Sequence, residues 1–94
     1  MTDSYRFSVS IMPKEGILDP QGRAVEAALP QLDAVNVHYV RVGRRVDLEV
    51  EAGSEEEAWT MVDRLAQELF ANPLIESWQV DRQSVTARMG PSEK

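Results

Sequence analysis

The chain has 94 residues, a net charge of -6 and a pI near 4.7. That length makes one domain with a thin core, and the acid excess argues against nucleic acid and anionic membrane surfaces, which need a basic face. It has no cysteine, which excludes disulfides, thiolate metal sites and a thiol nucleophile.

Tyr5, Phe7, Val9 and Ile11 alternate with Arg6, Ser8, Ser10 and Met12, the period of a strand with one buried face. Pro13, Lys14, Glu15 and Gly16 end it in a loop. Asp19-Pro20 then starts a helix, with Asp19 as N-cap and Pro20 at the first position, where no N–H is needed. Gly22 costs about 1 kcal/mol against Ala in that first turn. A plain strand-to-helix turn accounts for it. The other reading is a close approach to the backbone. The helix is predicted to reach Leu29 or Leu32, with Val25, Ala28, Leu29 and Leu32 as a narrow stripe, and Pro30 breaks its regular bonding.

Val35, Val37 and Tyr39 alternate, and Val40 and Val42 continue on the other parity, which predicts a strand with a bulge near Tyr39. Gly43-Arg44 reads as a hairpin turn, with Gly43 in a conformation other residues avoid, and Arg45 to Glu51 as the returning strand. Ser54 and Glu57 have capping-box spacing at the start of a second helix. Ala58, Met61, Val62, Leu65, Ala66, Leu69 and Phe70 mark its buried stripe, with Trp59 just off it. Asn72-Pro73 ends that helix, and Glu76 to Arg82 is a last strand. Residues 1–82 are therefore read as a single domain and 83–94 as a mobile, polar tail.

The order strand, helix, strand, strand, helix, strand predicts an α+β fold. It is a two-layer βαββαβ sandwich, with an antiparallel four-stranded sheet and two helices on one face, ferredoxin-like in topology. Its open sheet edges favour a homodimer, and further pairing to a tetramer, with strands from Val35 to Val50 at the contact. No catalytic residue, cofactor site or metal site is read. His38 is the only histidine and is taken as structural or surface, and the carboxylates of Arg45 to Glu51 as a solvated face. No Walker or Rossmann glycine pattern occurs. No apolar run approaches the roughly 18 residues of a membrane span. The start, Met1-Thr2-Asp3-Ser4, lacks the regions of a signal peptide, so a cytosolic place is expected.

The stretch Leu18-Asp19-Pro20-Gln21-Gly22-Arg23-Ala24-Val25 resembles the Leu-Asp-Pro-Gln-Gly-x-Ala-Val signature of the PurS family, the small subunits of phosphoribosylformylglycinamidine synthase. Arg41-Val42-Gly43-Arg44 and Ala71-Asn72-Pro73-Leu74-Ile75-Glu76 match at compatible spacing, and the likeness runs from about Tyr5 to Arg82. The Arg44-Arg45 pair is more basic than the family pattern requires, and the tail from Gln83 has no counterpart in the signature. The resemblance implies a non-catalytic subunit that bridges an ATP-dependent synthetase subunit (PurL) and a glutaminase subunit (PurQ) and helps ammonia pass between them. The complex converts formylglycinamide ribonucleotide, ATP and glutamine to the formylglycinamidine, ADP, phosphate and glutamate. ATP and Mg would be bound by the synthetase, not by this chain. Asp19, Gln21, Gly22, Arg41, Gly43, Arg44, Asn72 and Pro73 are then the expected partner-binding residues, and because none belongs to an apolar stripe their substitution is expected to spare the fold. Two other classes share this element order: a metabolite-sensing regulatory module, and an RNA-recognition domain, which would need aromatic and basic residues where Arg6, Ser8, Ser10, Asp47, Glu49 and Glu51 stand.

Overall fold

In the computed structural model, which describes residues 2–83, the backbone hydrogen bonds are collected by three strands. They are β1 (Asp3–Pro13), β2 (Arg44–Ala52) and β3 (Glu76–Arg82). The sheet is antiparallel in the order β2-β1-β3, with Val9 facing Val46 on one side and Val80 on the other. The period-two pattern of β1 puts Phe7, Val9 and Ile11 on the face that is fully buried.

Two helices alternate with the strands: α1 (Pro20–Ala28), continued by a 3-10 turn (Leu29–Leu32), and α2 (Glu55–Leu65), continued by a π turn (Ala66–Phe70). Ser54 caps α2, its Oγ accepting from the Glu57 N–H at 3.1 Å. The Glu57 carboxylate reaches back to the Gly53 N–H, one residue further than in the regular capping box. Ala58, Val62 and Ala66 of α2 and its π turn lie on Phe7, Val9 and Ile11, with the half-buried Val46, Leu48, Val50, Trp78 and Val80 around them. Trp59 is half-buried, edge-on to Phe7 at 5.2 Å.

Two features depart from the sequence reading. The sheet has three strands, not four, because 35–42 does not join it. Tyr39 takes a left-handed φ of 59°, which a strand does not accommodate, and the N–H groups of Val40 and Val42 are claimed by carboxylates. There is accordingly no bulge and no hairpin at Gly43. The second departure is α1. It buries only Gly22 and stands off the sheet, so α2 alone covers one sheet face. Val25 and Leu32 remain 42% and 76% exposed. The tail read over 83–94 lies outside the described residues from 84 onward, and Gln83 itself is tied to the sheet, its N–H donating to the Arg6 carbonyl at 2.8 Å.

Candidate functional site

The segment 37–43 is a strap laid antiparallel along α1. Asp19 and Glu26 are seven residues apart, two helical turns, so their carboxylates share one side of α1. Glu26 Oε2 accepts from the Val40 N–H at 2.8 Å, and Asp19 Oδ2 from the Val42 N–H at 2.9 Å. The other Asp19 oxygen accepts from the Gly22 N–H at 3.1 Å, so one carboxylate both caps the helix and fastens the strap. A third tie joins the Tyr39 hydroxyl to Glu15 Oε2 at 3.0 Å.

The strap explains both glycines. A Cβ on Gly22 would collide with the Val40 carbonyl and the Asp19 carboxylate. The close approach to this helix start is therefore real, and what approaches is the chain's own strap. Gly43 has no left-handed φ; it is small because a Cβ there would meet the Ile11 carbonyl and Met12 Sδ.

The strap delivers Arg44 to the turn after α2. Its Nη1 and Nη2 donate to the two Glu76 carboxylate oxygens at 2.8 and 3.0 Å, a bidentate pair, and Nη2 also donates to the Phe70 carbonyl at 2.6 Å. Glu76 Oε1 accepts from the Asn72 N–H at 2.7 Å, and Asn72 Oδ1 from the Leu74 N–H at 3.1 Å. The Lys14 N–H donates to the Ile75 carbonyl, which sews the same turn to the end of β1.

These ties bring the three motif stretches to one end of the molecule. They surround a cleft of about 280 Å³ lined by Leu18, Asp19 and Gln21 from the first, Val42, Gly43 and Arg44 from the second, and Ile75 and Glu76 from the third. Of the expected partner-binding residues, Asp19, Gln21, Gly43 and Arg44 line this cleft; Gly22, Arg41, Asn72 and Pro73 adjoin it in sequence. They divide by role. Asp19, Gly22, Gly43, Arg44 and Asn72 hold backbone or make room for it, contrary to the expectation that all eight leave the fold alone. Gln21 and Pro73 are exposed. Sequence reasoning passed over the most exposed apolar groups of this end, Leu18 at 68% and Leu74 at 83%, although each sits inside a motif. Glu26 and Glu76 were also passed over, and the i+7 spacing of Glu26 from Asp19 was the available signal.

At the helix start the Gly22 N–H is held by Asp19 Oδ1 and the Arg23 N–H by the Asp19 carbonyl, so neither is free for a partner.

The same bonds set the electrostatics. The Val42 N–H, then the Gly22 N–H, holds the Asp19 carboxyl below its ordinary value of 3.8. The Arg44 guanidinium, then the Asn72 N–H, holds Glu76 below 4.5. Hydrogen bonding to Glu15 pushes the Tyr39 hydroxyl up. Because both carboxyls are lowered on folding, their contribution is complete above the ordinary values and is lost as pH falls through the folded ones. The thermal midpoint of the parent is expected to drop below about pH 4.5 more steeply than that of Asp19→Asn or Glu76→Gln, with each variant already less stable at pH 7. Melting curves from pH 7 to pH 3 at fixed protein concentration check this, and parallel curves for parent and variants would refute it.

Residues 6–84 match the family model described as PurS, phosphoribosylformylglycinamidine (FGAM) synthase. The chain belongs to the PurS family. It is 37% identical over 79 residues to the PurS subunit of Mycobacterium leprae, covering 84% of this chain and 96% of that one. With the subunit of Thermotoga maritima it shares 30% over 76 residues, 81% of this chain and 93% of that one. The crystal structure of the Thermotoga maritima subunit superposes with a TM-score of 0.78 at 28% identity, over 88% of this chain and 95% of the other. A chain in the Thermotoga maritima structure called PurLQS also gives 0.78 at 28% identity, over 86% and 99%. PurS is a subunit of phosphoribosylformylglycinamidine synthase, an enzyme of purine biosynthesis, and this chain is such a subunit by family.

Proposed function

We propose that the chain works as the non-catalytic bridge of that synthase, docking to the synthetase and glutaminase subunits through the cleft end. The observation that carries this is the meeting of all three motif stretches around one cleft, with exposed Leu18 on its wall, exposed Leu74 next in sequence to its Ile75, and a bonded framework behind. Such a surface suits docking. The framework fixes its shape in advance, so little ordering is needed on binding.

The chemistry such a bridge serves is the transfer of ammonia. Released at pH 7 into water, ammonia becomes mostly ammonium, a poor nucleophile, and diffuses away. A subunit junction that excludes water avoids both losses. ATP, Mg and the ribonucleotide are bound by the synthetase in this reading, and glutamine by the glutaminase. The working place is the cytosol, in keeping with a chain without cysteine.

The bridge is a homodimer. The α1 stripe and the β3 side of the sheet face, with Trp78 and Val80 half-buried, are complementary apolar surfaces that the single chain leaves apart, since α2 packs on β2 and β1. Laying α1 of one copy on the sheet of the other covers both by twofold symmetry. This places the contact on helix and sheet face rather than on strand edges.

Reconstitution tests the function. With purified synthetase and glutaminase subunits of the same organism, glutamine-dependent formylglycinamidine synthesis is expected only when the chain is added. Synthesis from ammonium chloride by the synthetase is the internal control. Equal glutamine-dependent rates with and without the chain would overturn the reading.

A further inference from the structure

The cations of the described residues fall into two groups. Arg6, Arg44, Arg45, Arg64 and Arg82 each stand within 4.0 Å of a carboxylate. Lys14, Arg23 and Arg41 have no such partner, and of these three Arg41 has a buried atom, Nη2, without an acceptor. A buried donor left unmet costs about 1–3 kcal/mol. Its neighbours do not serve it. Asp19 gives its two oxygens to Gly22 and Val42, and Glu15 Oε2 is taken by the Tyr39 hydroxyl. Arg41 instead lies over the Tyr39 ring, its guanidinium carbon 5.8 Å from the centroid. It sits on the strap one residue before Val42, which lines the cleft between the exposed Ile17 and Leu18 and Ile75.

We propose that Arg41 receives a carboxylate from an apolar segment of a partner subunit, with Leu18 and Leu74 as the flanking apolar contacts. This rests on the reading of the cleft end as the docking surface. Charge favours it. The acid excess of the chain is greatest over β2 and the start of α2, at Asp47, Glu49, Glu51, Glu55, Glu56 and Glu57, so a carboxylate is repelled there more than at this end, where Lys14, Arg23, Arg41 and Arg44 offset Glu15, Asp19, Glu26 and Glu76. A planar two-oxygen group matches a guanidinium through two parallel bonds. A phosphate is disfavoured: more highly charged than a carboxylate, it is repelled more strongly by the fixed Asp19 charge, and the Gly22 and Arg23 N–H groups that would help to hold it are already bonded.

The test is assembly with the purified synthetase and glutaminase subunits, measured as a dissociation constant at two salt concentrations. Arg41→Ala is expected to weaken assembly at least about tenfold, and Arg41→Glu further. Arg41→Lys should fall between parent and Ala, since it keeps the charge and loses the paired donors. The salt dependence of the parent should shrink in Arg41→Ala. Leu74→Asp lies on an exposed turn outside the core and is expected to weaken assembly comparably. The free Arg41→Ala protein should melt within a few degrees of the parent. Arg41→Ala and Arg41→Glu assembling like the parent would overturn the contact alone. Arg41 variants that unfold would mark the guanidinium as a structural group and overturn it too. Parent protein that binds neither subunit would overturn the docking reading beneath it.

Discussion

Gly22→Ala is expected to cost about 2–3 kcal/mol of folding stability, several times what helix propensity would suggest, since Ala is the better helix former. The added methyl meets the Val40 carbonyl and the Asp19 carboxylate, and neither can yield cheaply. Moving Val40 pulls its N–H from Glu26; moving Asp19 frees the Val42 N–H and uncaps α1. Both consequences release the strap, and with it the position of Arg44 against Glu76. Gly16→Ala is the matched comparison. Gly16 has a left-handed φ of 81° with open space around it, so only backbone strain of about 1–2 kcal/mol applies. Denaturant unfolding separates the two, provided the slope is unchanged. A Gly22→Ala protein as stable as the parent would show that the strap is not held by this close approach.

What the sequence could disclose was settled by the reach of each interaction. The strands at Tyr5–Ile11, Arg45–Glu51 and Glu76–Arg82, the cap at Asp19 and the cap at Ser54 are local patterns, and all are present. The strap was not legible. Its valines alternate like those of a strand, and periodicity says nothing about which acceptor an N–H will find. Glu26, fourteen residues from Val40, outcompeted a neighbouring strand. Gly43 misled for a related reason, because smallness demanded by the Ile11 carbonyl reads in sequence like a turn. The α1 stripe correctly announced an apolar face, yet a stripe cannot say whether its own chain covers it. As for the site, only the likeness of three short motifs pointed to it. No spacing rule places Leu18, Gly43 and Ile75 around one cleft. That closeness arises from the bond between Lys14 and Ile75 and the grip of Arg44 on Glu76.

The α1 face yields the other large effect. In dilute solution the parent is expected at twice its chain mass of 10.6 kDa, and the double variant Val25→Glu, Leu32→Glu as a monomer. Both positions are exposed in the single chain and neither belongs to its core, so the substitutions remove little of its own packing. Each lost apolar side chain is worth about 1.5–3 kcal/mol, and twofold symmetry repeats it. The sum, about 6 kcal/mol or more, weakens the dimer by about four orders of magnitude. Stability should follow association. A chain whose one helix covers half a sheet face gains from the second copy by mass action, so the parent's melting temperature should rise with concentration while that of the variant stays level. Light scattering across a concentration series reads the mass, and calorimetry the midpoint. A parent that remains at single-chain mass at high micromolar concentration would refute the helix-on-sheet dimer. A variant that stays dimeric would refute the helix contact and return the interface to the open edges of β2 and β3, where unpaired backbone groups are the remaining means of joining two copies.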